Sequence, residues 1–193
     1  MTTALLVLAA GRSSRLGRPK QLLPFRGRPL LEAVLAVARA CAADQRLVAL
    51  GGAADDVRAA VDLDGFDVVV NPAYGTGCSS SIAAAVPGLA TEIDVVVLLL
   101  GDQPGVTTDA VRRLLDGRGE APLAVCRYDD GIGHPFAFGR EVLPDLAGLH
   151  GDKAVWKLLE QRATEVVEVR VPGTIPLDVD TQEDYERLLS STA

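Results

Sequence analysis

Four cations and two glycines lie close together in the stretch LLVLAAGRSSRLGRPK, between Leu5 and Lys20. The glycines are Gly11 and Gly17, and the cations are Arg12, Arg15, Arg18 and Lys20. Glycine lets backbone N–H groups approach an anion closely, and cationic side chains neutralise its charge. The stretch therefore predicts a phosphate-binding loop, although its spacing matches neither GxxxxGK[ST] nor GxGxxG. The alternative is a surface loop that is merely basic.

Carboxylates follow two other apolar runs. Asp102 comes after the run at 95–100 and a glycine, at the mouth of a buried strand, where a divalent metal would keep it charged. Asp178 and Asp180 would point to the same side in strand geometry, so either could complete a magnesium site with Asp102. The alternatives are a hydrated loop carboxylate for Asp102 and a helix cap for Asp180.

Two more stretches carry polar groups that could face a ligand. NPAYGTGCSSS, residues 71–81, offers an amide, hydroxyls and exposed backbone that could read a nucleotide base and ribose, or could form a capping turn. His134 follows a glycine in Gly-His-Pro, and either a ligand-facing or a structural role is open. His150 is interpreted as structural.

The charge and composition of the whole chain argue against several classes of protein. The 193 residues carry a net charge of −7, which argues against a nucleic-acid or membrane-surface binder. Three widely spaced cysteines favour reduced thiols over a disulfide framework or a zinc site. The first apolar run is too short for a secretory leader, so a cytoplasmic location is expected. We predict one domain, 1–193, with residues 1–120 serving the donor and residues 121–193 the acceptor.

Strand and helix patterns alternate through the first half of the chain. Strands are predicted at 4–8, 46–50, 66–70 and 93–100, the last at the sheet centre, and helices at 30–43, 54–61, 79–90 (capped by Ser79) and 107–115. The second half predicts a hairpin of 123–127 with 135–138, helices at 140–147 and 153–162, an edge strand at 164–171, a last strand at 175–179 and a helix after a capping box at Thr181. The predicted fold is α/β: a Rossmann-like, doubly wound, mainly parallel sheet with an antiparallel hairpin in the second half.

Five segments resemble, in order, the signatures of the MobA-like nucleotidyltransferases. LAAGRSSRLGRPK is similar to LAAGxSxRMGxxK, NPAYGTGCSSSI to NPxWxxGxxSSL, GDQP to LGDQPxV, GHPFAF to GHPxxF, and LDVDTQEDY to DIDTPEDY. The double alanine, GHP and LDVDT resemble the molybdenum cofactor cytidylyltransferase branch of the family. The sequence departs at Leu16, Tyr74 and Gln182, and most at residues 151–156, where the family's GDxGAR is replaced by GDKAVW.

The resemblance implies a set of site residues and Mg²⁺ as cofactor. Arg15, Lys20 and Asp102 would be catalytic, and Asp102 with Asp180 would hold the metal, Asp178 being the alternate. The nucleotide would be bound by Leu8, Ala9, Ala10, Gly11, Arg12, Arg15, Lys20, Asn71, Gly77, Ser80, Ser81 and Gly101. The acceptor would be bound by Gly133, His134, Pro135 and Asp152.

The resemblance also implies a reaction. A CMP group would move from CTP, or the equivalent group from another nucleoside triphosphate, to the phosphate of a molybdopterin-type cofactor, and pyrophosphate would be released. A molybdenum hydroxylase is a further expected partner. The alternatives are another phosphorylated acceptor, a non-catalytic cofactor-binding maturation partner, and a redox role like that described for one pigment-converting member of this broad family.

Overall fold

The chain alternates strands and helices, as its hydrophobic pattern predicts. The structure is a computed structural model that describes residues 1–151 and 153–191. Its strands are β1 (Thr3–Ala9), β2 (Pro24–Phe25), β3 (Arg28–Pro29), β4 (Gln45–Leu50), β5 (Asp67–Val70), β6 (Val95–Leu100), β7 (Leu123–Arg127), β8 (Ile132–Gly139) and β9 (Val166–Arg170). Its helices are α1 (Leu30–Ala40), α2 (Ala54–Ala60), α3 (Cys78–Ala85), α4 (Thr108–Arg118), α5 (Leu143–Ala147), α6 (Ala154–Gln161) and α7 (Gln182–Ser190).

Seven strands form one sheet in the order β5-β4-β1-β6-β8-β7-β9, and β2 pairs with β3 in a small separate hairpin. β1 runs parallel to β4 and β6, β4 to β5, and β7 to β9, whereas β8 is antiparallel to both β6 and β7. The most apolar strand, β6, lies fourth of the seven, so its prediction at the sheet centre is confirmed. The mainly parallel α/β fold and the antiparallel β7–β8 hairpin are confirmed as well.

Helices cover both faces of this sheet because both faces of the central strands are apolar. Leu31 and Leu35 of α1, Val57 of α2 and Leu114 of α4 pack on one face. Ile82 of α3, Leu146 of α5 and Leu158 of α6 pack on the other. A third cluster joins α7 to the β2–β3 hairpin through Tyr185, Leu188 and Phe25.

The structure differs from the sequence-based prediction at three local points. Residues 175–179 do not form a strand: the segment lies outside the sheet, and the Val179 N–H donates to the carbonyl of Asp102. Ser79 does not cap α3, because Gly77 turns the chain with a φ of 117° and the helix has begun at Cys78. The helix predicted through residue 90 ends at Ala85, where a 3₁₀ turn containing Pro87 follows.

Smaller differences concern where elements begin and end. Residues 140–147 start as a 3₁₀ turn and become α-helical only at α5, with Pro144 in the first turn, where its missing N–H costs nothing. The capping box at Thr181 is confirmed, since Thr181 and Asp184 exchange side-chain and backbone hydrogen bonds. Within the described ranges, no helix has the length and apolarity needed to span a bilayer.

The topology collects several loops at one edge of the sheet. The carboxyl ends of β1, β4, β5 and β6 lie there because these strands are parallel. β8 runs the other way, and the register of Leu98 opposite Phe136 carries His134 to the same edge. Groups distant in sequence therefore meet beyond the carboxyl ends of the strands.

Candidate functional site

The loop after β1 is held in shape by its own hydrogen bonds. The backbone N–H groups of Leu16 and Gly17 donate to the carbonyl of Ser13, at 3.0 and 3.1 Å. The Ser13 hydroxyl in turn accepts from the N–H of Lys20, at 2.9 Å. Below the loop the amide of buried Gln21 donates to the carbonyl of Ala9 at 2.6 Å. These bonds fix where the cations of the loop are presented.

Lys20 joins two carboxylates that come from distant parts of the chain. Its ammonium donates to the carboxylate of Asp102 and, at 2.7 Å, to Oδ1 of Asp180. Arg15 donates to the other oxygen of Asp180 at 2.8 Å. Burial lowers the pKa of Lys20, but the two carboxylates outweigh it and hold the pKa above its ordinary value. Lys20 is therefore charged at neutral pH although only 11% of its side chain is exposed.

Asp178 lies beside this cluster without being neutralised by it. Burial, followed by the negative charge of Asp102, raises the pKa of Asp178 to about 6. By contrast the pKa of Asp180 is lowered, because Lys20 and Arg15 outweigh the effect of its burial. Two hydrogen bonds fix the segment. The Val179 N–H donates to the backbone carbonyl of Asp102 at 3.1 Å, and the side-chain amide of Gln103 donates to the backbone carbonyl of Pro176 at 3.2 Å.

The carboxylates fit a magnesium-type ion that is shared with a ligand. Asp102 and Asp180 converge on one point, because the same ammonium contacts both, and carboxylate oxygens are hard donors of the kind that Mg²⁺ prefers. Within residues 1–151 and 153–191, no group of three or more His, Cys, Asp or Glu side chains could form a complete metal cage. Magnesium usually takes its remaining ligands from water and substrate phosphates, so a two-carboxylate site is sufficient.

The turn after β5 forms another wall of the site. Asn71 is 2% exposed, and its amide donates to the hydroxyls of Ser80 and Ser81, at 2.8 and 3.0 Å. Its carbonyl oxygen accepts from the N–H of Ala73. Asn71 therefore fastens the turn to the start of α3, with its side-chain groups engaged within the protein. Gly77, next to the helix, lines the cavity described below.

Aromatic side chains form a further wall of the site. His134 stacks on Phe136 with ring centroids 4.0 Å apart, and Phe136 meets Trp156 edge to face at 5.3 Å. The hydroxyl of Tyr128 donates to the His134 carbonyl. Burial lowers the pKa of His134 to about 3, so its imidazole is neutral at physiological pH.

A cavity of about 980 Å³ connects the loop, the carboxylates and the aromatic wall. Fourteen of the predicted site residues line it: Leu8, Ala9, Ala10, Gly11, Arg12, Arg15, Lys20, Gly77, Ser81, Gly101, Asp102, His134, Asp178 and Asp180. Four predicted residues do not line it: Asn71, Ser80, Gly133 and Pro135. Asp152 lies outside the described residues.

Gln21 and Tyr74 line the cavity as well, although sequence reasoning gave them no role in the site. Lys153 and Trp156 also line it, and both belong to the segment 151–156, where the sequence departs most from the family motifs. The guanidinium of Arg12 lies over the Tyr74 ring, 5.8 Å from its centroid, so Tyr74 supports a loop cation. Tyr74 and Trp156 stand at positions where the chain departs from the family motifs, and those departures were the available signal.

The chain is similar to known proteins along most of its length. Residues 5–166 match the model of the MobA-like NTP transferase domain. Nicotine blue oxidoreductase of Paenarthrobacter nicotinovorans is 31% identical over 95% of both chains.

Two solved structures are more similar in sequence. An Rv0371c homolog from Mycobacterium sp. strain JC1 is 51% identical, with a TM-score of 0.92 over 98% of this chain and 96% of that one. Rv0371c of Mycobacterium tuberculosis H37Rv, described as a complex with manganese, is 48% identical, with a TM-score of 0.90 over 99% and 100% of the chains. From the domain match and the full-length relative, we conclude that this chain belongs to the MobA-like NTP transferase family, a family of nucleotidyltransferases.

Proposed function

We propose that this protein transfers CMP from CTP to the phosphate of a molybdopterin-type cofactor and releases pyrophosphate. The observation that carries the proposal is the contact of Lys20 with both Asp102 and Asp180 at the rim of a cationic loop. That arrangement supplies positive charge for a triphosphate and hard oxygen ligands for a divalent ion at one place. The preference for CTP and for this acceptor rests on the LAAG, GHP and LDVDT segments.

Charge neutralisation and positioning would do most of the work. Arg15 and Lys20 would contact the phosphate oxygens of the donor and offset the negative charge that builds up on them. Asp102 and Asp180 would hold Mg²⁺, which would add positive charge at the same oxygens. Rv0371c of M. tuberculosis, described with manganese, supports a divalent ion here.

The acceptor needs little activation. The second pKa of a phosphomonoester is about 6, so it is already largely ionised at neutral pH and no general base is required. An acceptor phosphate oxygen attacks the α-phosphorus in line. The new oxygen–phosphorus bond forms as the bond between the α-phosphorus and the oxygen that bridges to the β-phosphate breaks. Pyrophosphate leaves with the electron pair of that bond. Neutral His134 would line the acceptor side without taking a proton.

The proposed division of labour follows the chain. Residues 1–120 would supply the loop cations, the turn after β5 and Asp102, all on the donor side. Residues 121–193 would supply the acceptor wall, together with Asp180 as a metal ligand contributed to the donor side. Both parts lie in one domain in this proposal, and the finished cofactor would pass to a molybdenum hydroxylase.

Pyrophosphate release tests the donor and the acceptor together. The assay combines Mg²⁺ with CTP or GTP, each with molybdopterin-type cofactor, with a sugar phosphate, or with no acceptor. Release that needs both CTP and the cofactor would support the proposal. Release with a sugar phosphate instead would identify a different acceptor, and Mg²⁺-dependent CTP binding without release would favour a non-catalytic maturation partner.

A second function is favoured by one observation. Nicotine blue oxidoreductase is 31% identical over nearly the full length of both chains, so a redox reaction on a conjugated substrate is the other candidate. Such an enzyme would consume NADH or NADPH in the presence of the substrate and would release no pyrophosphate. Absorbance of the reduced nicotinamide in the same assay separates the two functions.

A further inference from the structure

Trp156 is a large aromatic side chain that stays partly exposed where it lines the cavity. It is 39% exposed, it lines the cavity, and it is the sole tryptophan of the chain. Its one described ring contact is with Phe136, at 5.3 Å and an interplanar angle of 89°. Phe136 is fully buried and also stacks with His134, so the ring that contacts Trp156 is held in place.

Trp156 occupies a position at which the sequence departs from the family motif. It falls in the GDKAVW segment, where the family motif has a basic residue on the acceptor side. An aromatic ring cannot replace a cation in binding phosphate, but it offers a flat apolar surface on which another flat ring can stack. The acceptor side of this cavity therefore differs from the family motif in the chemistry that it offers.

A cation lines the same cavity as this ring. Lys153 precedes α6, is exposed to solvent and lines the cavity. Lys157, one turn further along the same helix, is exposed as well but does not line the cavity. The segment thus brings one aromatic surface and one positive charge to the acceptor side.

We infer that Trp156 and Lys153 form an acceptor subsite for a molecule that joins a planar heteroaromatic ring to an anionic group. Trp156 stacks on the ring, and Lys153 pairs with the anion. This subsite rests on the proposed function, because it assigns the acceptor class for the same cavity. It selects against phosphorylated acceptors without an aromatic ring, such as sugar phosphates.

Fluorescence of the sole tryptophan tests the subsite without any turnover. The donor side is first filled with α,β-methylene-CTP and Mg²⁺, and 6-hydroxymethylpterin phosphate or glucose 1-phosphate is then titrated. We expect the pterin phosphate to quench Trp156 and the sugar phosphate to leave its emission unchanged. Equal responses to both probes, or none to the pterin, would overturn the inference.

Calorimetric titration of variants separates stacking from charge. Trp156→Ala should weaken pterin phosphate binding roughly tenfold, the size expected for loss of one stacking surface, and Trp156→Phe should restore most of it. Lys153→Ala should weaken binding of the phosphorylated pterin but not of free 6-hydroxymethylpterin, and Lys157→Ala is the matched control. Unchanged affinity in Trp156→Ala, with a thermal midpoint like that of the parent, would contradict the subsite.

The two proposals fail in different ways. If CTP and Mg²⁺ bind and pyrophosphate is released with a sugar phosphate, while the Trp156 variants behave like the parent, the subsite is wrong and the transferase activity stands. If α,β-methylene-CTP does not bind but the pterin phosphate still quenches Trp156, the donor assignment is wrong and the aromatic subsite stands.

Discussion

At the residue scale, the two contacts of Lys20 dominate the site. Its ammonium holds Asp102 and Asp180 together in the absence of substrate, and the same charge would serve the donor phosphates. Lys20→Ala should therefore lower the rate of pyrophosphate release by on the order of a hundredfold, the usual effect of deleting one stabilising group. Steady-state rates of the parent and the variant measure it, with Lys157→Ala as a control cation outside the cavity.

A near-parental rate in Lys20→Ala would contradict the proposed role of Lys20 in the reaction. A thermal shift adds a readout that does not depend on turnover. Because the variant leaves the two carboxylates without their shared counterion, millimolar Mg²⁺ should raise its melting temperature more than that of the parent. If Mg²⁺ left the melting temperature of the variant unchanged, a metal at this position would be contradicted.

His134 should make the protein sensitive to acid. Burial lowers its folded-state pKa to about 3, against an ordinary value of 6.5. Between these values the unfolded chain binds a proton that the folded chain does not, so the free energy of unfolding falls as the pH drops. The loss is at most about 1.4 kcal/mol per pH unit, and it is absent above about pH 7.

Urea unfolding near about pH 7 and about pH 5 measures this effect. His134→Phe keeps a ring against Phe136 and removes the titrating group, so it should lose less stability on acidification than the parent does. His150, the other histidine, is exposed, and His150→Phe is the matched control. The same acid sensitivity in His134→Phe and the parent would show that His134 is not the cause.

At the element scale, β1 and β6 come close together where the loops begin. A Cβ added to Gly101 would lie 3.0 Å from each of Ala9 Cβ, Leu31 Cδ1 and the carbonyl oxygen of Leu8. Gly101→Ala should therefore destabilise the protein by about 1–3 kcal/mol through overpacking. At Gly105 the nearest atom to an added Cβ is 3.7 Å away, so Gly105→Ala should cost little. Chemical denaturation of both variants makes the comparison, and equal stabilities would contradict it.

Local patterns predicted most elements, because an apolar run or a helical spacing is contained within a few residues. Examples are the strand predicted at 93–100, the helix predicted at 107–115 and the capping box predicted at Thr181. The structure has them at Val95–Leu100, at Thr108–Arg118 and at Thr181. The strand predicted at residues 175–179 was wrong, because an apolar run does not show whether the sheet has a free edge with which it could pair. That segment instead bonds to the loop after β6, through Val179 and Asp102.

The candidate site was predictable in its position but not in its contacts. A parallel sheet brings strand ends together, which placed the first loop, Asp102 and residues 178–180 at one edge. Nothing local indicated that Lys20 would contact Asp180, 160 positions away. The local sequence also did not indicate that the side chain of Asn71 would form hydrogen bonds within the protein. An amide in a loop can bind a ligand or hold the loop in place equally well.

At the scale of the whole molecule, the site joins distant parts of the chain, so ligands should stabilise the fold. Linkage gives about 2.7 kcal/mol at a ligand concentration a hundredfold above Kd, or a rise in melting temperature of roughly 5–10 °C for a chain of this size. CTP with Mg²⁺ should produce this shift, and Asp180→Asn should reduce it. No shift with saturating CTP and Mg²⁺ would contradict the donor site.

Transfer of a CMP group to a phosphorylated acceptor would increase the mass of that acceptor, and this increase can be measured. The protein is incubated with CTP, Mg²⁺ and molybdopterin-type cofactor, and the cofactor is analysed by mass spectrometry. We expect the cofactor to gain CMP only when all three are present, with one pyrophosphate released for each CMP transferred. A cofactor of unchanged mass, alongside oxidation of NADH or NADPH on a conjugated substrate, would contradict the account and support the redox function.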